Sequence, residues 1–233
     1  MPVIPPRTNG LTASAGALRY WERRQEALAN NLANVSTNGF KAERVFARMV
    51  SDGMSAADSA TDHRDGSMRP TGQPLDLAVE GDRYFVVQTA GGERLSRGGS
   101  FQLNDAGQIV DGAGNALLTD KGPVLASKGA VTIDAHGAVR VDGREAGVLR
   151  VESAGANVLQ HDGPLLVPPA ARTAVAPNER TVRQGVLEES NVSQVGALVD
   201  MIAVQRAYAA VQKALTTLDT TRGTAANEIG KPV

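Results

Sequence analysis

Between Leu11 and Val35 the chain alternates steps of three and four residues without a break, through Leu11, Ser14, Leu18, Trp21, Gln25, Leu28, Leu32 and Val35. Six of these eight positions are apolar, the signature of a helix that lays a narrow seam against another helix. Arg19, Glu22, Arg23 and Glu26 fall off the seam, on a face left to solvent or to a neighbour. The run then meets Ser36, Thr37, Asn38 and Gly39. Asn-Gly tolerates the left-handed backbone that closes a helix, so the helix is expected to end near Thr37.

The other end repeats the pattern. Leu198, Met201, Val204, Tyr208, Val211, Leu215 and Leu218 again alternate three and four, and no proline interrupts before Pro232. Ser190 or Asn191 is the expected N-cap, with Gln194 three residues past Asn191 in the manner of a capping box. At ~1.5 Å per residue, a helix over 191–226 would be about 54 Å long, more than a small neighbouring domain covers.

Between the helices the period changes to two. LDLAV, YFVVQ, GQIV, AVTI, AVRV and GVLRVE read as short strands. They are punctuated by turn signals at 105–108, 111–115, 134–137, 141–144 and 161–164. The expected fold class is therefore α+β: long N- and C-terminal helices pairing as an antiparallel coiled coil, with a central all-β domain. The expected division is an N-terminal helix region over 1–40, an extended connector over 41–74, the β domain over 75–184 and a C-terminal helix region over 185–233.

Composition restricts the function. Aromatic residues make up only 3% of the chain, so the core must be aliphatic. A net charge of −1, with 24 basic and 25 acidic residues spread along the chain, gives no electrostatic footprint for nucleic acid or an anionic membrane. With no cysteine, disulfides, thiolate catalysis and the common structural zinc sites are excluded together. The start, MPVIPPRTNG, has no apolar core of the kind a cleavable secretory signal needs, and no run approaches the ~18 apolar residues of a spanning helix.

Catalytic and ligand motifs are not found. His63, His136 and His161 are isolated and read as surface loop residues, and TDHRDG at 61–66 fails as a calcium loop because Thr61, His63 and Gly72 occupy ligand positions. No nucleophile elbow, phosphate loop or dinucleotide fingerprint occurs, so no metal, cofactor or small-molecule substrate is expected. A hydrolase reading would have to draw on Asp76, Glu80, Asp82 and Glu93, and a β-rich binding or adhesin module with helical arms is the other alternative.

The helices bear on the choice. Ordering the 25 residues from Leu11 to Val35 costs about what six seam side chains and the helical hydrogen bonds return, so this helix is marginal alone. Pairing within one monomer would complete it. Alanines around both seams, among them Ala17, Ala29, Ala33, Ala203, Ala207 and Ala210, allow close approach on more than one side, which favours contacts with other subunits as well.

ANNLANVSTNGFK at 29–41 resembles the N-terminal signature of bacterial flagellar rod and hook proteins. LDLAVEGDRYFVVQT at 75–89 and SRGGSFQLNDAGQIVDGAGNALL at 96–118 resemble that family's central β segment, and 184–219 is similar to its C-terminal helix. The chain departs from the family pattern at Arg83, Leu95, Ser96, Glu189, Gly196 and Ala197, and in its Pro-rich leader. The resemblance implies a rod subunit that crosses the periplasm, exported by the flagellar type III apparatus through an uncleaved N-terminal region. Its partners would be copies of itself and other rod proteins. The short length favours the proximal-rod type, with the distal-rod type next and the hook after that. The implied subunit interface comprises the apolar seams together with Asn30, Asn31, Asn34, Gly39 and Phe40 at the exit of the first helix, and Gln205, Arg206 and Tyr208 on the last.

Overall fold

The computed structural model describes residues 10–49, 55–126, 129–154, 160–168 and 172–229, with side chains for 14–48, 57–126, 129–154, 162–168 and 172–225. The Pro-rich leader over 1–9 lies outside the described residues, as does the side chain of Leu11. The chain forms two compact units, one from 1–33, 43–60 and 193–233, the other from 34–42 and 61–192.

The first unit is built on two helices, α1 (Gly10–Ala33) and α2 (Gln194–Ile229), which pack against each other. It also holds strand β1 (Glu43–Met49), paired in a two-stranded sheet with β2 (Ser55–Thr61). Helix α1 stops at Ala33, four residues before the expected Thr37. The reason is local: the amide of Thr37 donates to the carbonyl of Asn34 at 3.1 Å, tightening the turn, and the Thr37 hydroxyl donates to Asn34 Oδ1 at 3.2 Å. The start of α2 also differs. Ser193 caps it, its Oγ accepting from the Gly196 amide at 3.2 Å and its carbonyl from the Ala197 amide at 2.8 Å. Asn191 is not the cap because its amide is used elsewhere. The helix nevertheless spans 36 residues, about 54 Å.

The described residues within 41–74 include paired strands. Besides β1 and β2 they include β3 (Met68–Pro70), which runs antiparallel to Val186–Glu188. Strand β4 (Leu77–Val79) runs antiparallel to Val182–Gln184, so the segments that enter and leave the second unit lie side by side.

The core of that unit is organised by β5 (Tyr84–Thr89), which pairs with β6 (Gly92–Ser96) on one side and with Ala116–Thr119 and Val151–Ser153 on the other. Alternate side chains of a strand point to opposite faces. Phe85 and Val87 enter the main aliphatic core with Leu117, Ile109, Val139 and Leu149, while Tyr84 and Val86 enter a smaller cluster with Leu95, Leu118 and Leu166. Both faces of β5 are thus covered, which explains its unbroken apolar run. Phe85 meets Phe101 edge-on at 5.9 Å between ring centres, one of the few aromatic contacts this composition permits. Beside this sheet a three-stranded meander runs through Val131–Ile133, Ala138–Val141 and Arg144–Val148. Its second turn holds Asp142 and Gly143 at φ of 51° and 79°, the pair of positive values that a tight Asp-Gly hairpin demands.

Candidate functional site

Two arrangements of side chains carry functional content, one in each unit. On α2, Ala197 and Val204 are buried and Met201, Tyr208, Val211 and Leu215 are half-buried, giving steps of four, three, four, three and four. Leu198 and Leu218, expected on this seam, are exposed. The smaller Ala197 takes the covered position at the N-terminal end, and the seam has run out by Leu218. On α1 the described seam residues Leu18, Trp21, Gln25, Leu28 and Leu32 are half-buried, with Ala27 and Asn31 more deeply covered. Tyr208 donates its hydroxyl to Glu22 at 3.0 Å, joining the two helices by a polar bond beside the seam.

A second face of α2 is uncovered. Val195, Leu198, Val199 and Ile202 are exposed, Val199 by 60%. At 3.6 residues per turn these positions fall on the side away from Ala197, Met201 and Val204. Gln205 and Arg206 continue the exposed surface toward the C-terminus.

Asn31 does not face outward. Its amide nitrogen donates to the carbonyl of Glu43 at 2.8 Å and its oxygen accepts from the Glu43 amide at 2.9 Å, so this side chain pairs with β1 as a neighbouring strand would. Asn30 lies on an exposed part of the helix, and Asn34 and Val35 are half-buried in the turn beyond it.

In the second unit the residues after α1 converge on a buried acid-base cluster. Glu188 is 1% exposed at its side chain and accepts from Lys41 Nζ at 2.7 Å, Arg97 Nε at 2.5 Å and the Gly66 amide at 2.9 Å. Lys41 and Arg97 are 4% and 3% exposed. Lys41 also donates to the carbonyl of Arg64 at 2.8 Å. Arg97 spends its remaining donors on the carbonyls of Gly81 and Arg83 and on Asp65 Oδ1, the last at 2.6 Å. Every charge here has a partner of opposite sign and further hydrogen bonds, the condition for burying ions at tolerable cost.

Asp65 is the partly exposed member. Burial tends to raise its pKa, but the Gly81 amide and the charges of Arg97 and Lys41 outweigh this and hold it below the usual carboxylate range. Tyr84, beside the cluster, has its phenol pushed well up, first by burial and then by Asp82, whose Oδ1 accepts a hydrogen bond from the Tyr84 hydroxyl at 3.0 Å. His63 is 13% exposed at its side chain and its Nδ1 lies 2.9 Å from the Tyr84 oxygen, so the expectation of a surface loop histidine is corrected.

Gly39 and Phe40 serve this same region. Gly39 has φ of +70°, its amide donates to the Glu188 carbonyl at 2.8 Å, and a Cβ there would stand 2.3 Å from the Arg97 carbonyl oxygen. Phe40 is half-buried and lines a water-sized cavity with Lys41, Tyr84 and Leu166. Asn191 completes the set: its Oδ1 accepts from the Ala42 amide at 2.8 Å, and its Nδ2 donates to the carbonyls of Asp62 at 2.7 Å and Arg64 at 3.0 Å. The residues just inside the places where the chain enters and leaves this unit are therefore clasped to one another.

The carboxylates of the hydrolase reading are held apart by different partners: Glu80 by Arg183, Asp82 by Tyr84, and Glu93 by Arg150 and Arg172. Among the described residues no group of three or more acidic or histidine side chains could hold a metal ion. No described helix is long and apolar enough to cross a membrane.

The chain is 33% identical to the flagellar basal-body rod protein FlgF of Caulobacter vibrioides, across 90% of this chain and 93% of that protein. It belongs to the flagellar basal-body rod protein family. This rod protein is also 32% identical to FlgF of Escherichia coli over 93% of its own length and 96% of the relative's. It is 28% identical to FlgG of Bacillus subtilis over 90% and 94%. Three family models match in order: flagella basal body rod protein over 11–41, flagellar hook protein FlgE/F/G D1 domain over 78–155, and flagellar basal body rod FlgEFG protein C-terminal over 183–228. It is a structural subunit of the basal-body rod, and a structural family speaks against an enzymatic role.

The matched segments give the clasp a further meaning in this rod protein. Lys41 closes the first, Arg97 lies in the second and Glu188 in the third, so one buried ion set draws a residue from each. Sequence reasoning assigned Gly39 and Phe40 to subunit contacts and Asn191 to a helix cap, and passed over Lys41, Arg97 and Glu188. A signal existed: each charge sits inside a run of small or apolar residues, NGFK, SRGGS and GVLE, where a solvated charge has no reason to be.

Proposed function

We propose that the chain is a FlgF-type, proximal-rod subunit that assembles helically with copies of itself and with other rod proteins, its terminal helices pairing as an antiparallel coiled coil. The observation that carries the assembly reading is the uncovered apolar face of α2. Val195, Leu198, Val199 and Ile202 lie away from the seam that α1 covers, and an apolar stripe on each of two sides of one helix fits a helix with more than one helical neighbour. The names of the relatives favour the FlgF type, with FlgG as the distal-rod alternative. The same reading has the subunit exported by the flagellar type III apparatus through an uncleaved N-terminal region that includes α1.

The test is a paired substitution, V199E with I202E, in a strain lacking the native gene. Export into the periplasm should persist while complete rods and motility are lost. Normal motility in that strain would overturn the interface. An epitope-tagged chain located in isolated basal bodies decides the subtype: label on the proximal part of the rod supports the FlgF type, and label confined to the distal part replaces it with the FlgG type.

A further inference from the structure

The last stretch of the β-rich unit, residues 180–191, runs across the rest of it like a strap. Arg180 Nη1 donates to the Leu149 carbonyl, and the Val182 amide donates to the Ala135 carbonyl at 2.9 Å. Gln184 reaches two segments at once: its Oε1 accepts from the Ile133 amide at 3.0 Å, and its Nε2 donates to the carbonyls of Val131 at 2.9 Å and Pro74 at 2.6 Å. The same stretch supplies the antiparallel partners of β3 and β4. It ends with Glu188 in the buried ion set and Asn191 bonded to Ala42, Asp62 and Arg64.

These partners are distant in sequence. Glu188 lies 147 residues from Lys41 and 91 from Arg97, and Asn191 lies 149 from Ala42. The hairpin of β5 with β6 and the meander over 131–148 are instead built from neighbours in the chain. Loop-closure entropy must be met before a distant contact repays it, so local pairings form first. The ions sharpen the order. Without Glu188, Lys41 and Arg97 would share Asp65, at 3.6 and 2.6 Å, a carboxylate whose side chain is 36% exposed. Two cations against one carboxylate stay in water until a second carboxylate arrives.

We propose that 180–191 is a closing strap: the hairpin and the meander form without it, and the buried ion set, together with the pairings of β3 and β4, forms only when it docks. A chain that emerges N-terminus first therefore keeps this unit unlatched until little besides α2 remains to be delivered. The strap stands on contacts within the β-rich unit alone, and only its use during export rests on the rod reading.

Pulse-labelling hydrogen exchange during refolding of the purified full chain from urea tests the order, read residue by residue by NMR. The amides of Asp134 and Asp142, bonded within the meander, should be protected at least ~tenfold faster than those of Ala42, Gly66, Val182 and Gly185, which are bonded to the strap or belong to it. N191A should speed unfolding about tenfold and change refolding less than about twofold, because bonds made last are absent from the transition state. If that variant does not fold, the order of protection in the unaltered chain still decides. Protection of both sets of amides in one phase, earlier protection of the strap amides, or an N191A chain that refolds about tenfold more slowly with unchanged unfolding would each overturn the proposal. None of these outcomes involves the outer face of α2, so the strap and the rod reading fail separately.

Discussion

The clasp in the β-rich unit and the outer face of α2 solve opposite problems. Around Glu188 the chain removes three charged side chains from water and supplies each with partners from its own sequence. Along Val195, Leu198, Val199 and Ile202 it leaves apolar side chains in water with no partner from its own unit. The first region is complete in a single chain. The second is the face proposed to take a neighbour, and on that reading the contrast separates what holds the subunit together from what would let it join others.

The contrast breaks most severely at Glu188. E188A strands Lys41 and Arg97 as buried charges, and removing one member of such a set costs about 3–5 kcal/mol. Urea unfolding followed by far-ultraviolet circular dichroism measures it, and a loss below about 1 kcal/mol would mean that the clasp does not hold the unit. G39A comes next. The left-handed backbone and the close Arg97 carbonyl predict about 2 kcal/mol, read from the same transition. N191A removes three hydrogen bonds to backbone groups and should cost between about 1 and 2 kcal/mol. Hydrogen exchange should then accelerate at the Ala42 amide while the amides of β5 stay protected.

On the other side of the comparison, V199S with I202S should change the unfolding free energy of the isolated chain by no more than about 0.5 kcal/mol, because both residues are already in water. A larger loss would show that this face is covered within the monomer. The smallest effects are expected from titration, and the clasp and the contact beside the α1–α2 seam should respond at opposite ends of the pH scale. Asp65 has its pKa lowered in the folded state, so its contribution is present above about pH 4 and fades as pH falls through the lower folded value. Tyr208 has its pKa raised, first by its hydrogen bond to Glu22, so its contribution is present below about pH 10 and fades as pH rises. Residue-resolved NMR should see the clasp loosen in acid and the Glu22–Tyr208 contact loosen in alkali.

How far the sequence could be read depends on the range of the interaction. The three-four seam predicted α1 and α2 because each turn of a helix reports on the next, and the runs at 84–88 and 138–141 predicted strands for the same reason. Helix ends were missed by a few residues because caps compete: Asn191 has the chemistry of an N-cap, yet its amide bonds Ala42, Asp62 and Arg64, and Ser193 caps instead. The strands at 165–167, 182–184 and 186–188 fall outside the runs named from the sequence. Leu198 was given to the seam by spacing alone, whereas Ala197 occupies the covered position.

By itself the sequence determined that two long helices flank a β-rich middle and, through NGFK, SRGGS and the C-terminal run, the family to which they belong. These are local patterns, each written within a few turns or one strand. Only the tertiary structure decided that Lys41, Arg97 and Glu188 share one buried ion set, that Asn31 pairs with Glu43 across 12 residues, and that one face of α2 is covered while the other is not. A charge separated by 147 residues from its partner leaves no periodic trace, because what stabilises the pair is the loss of water that only the folded chain produces.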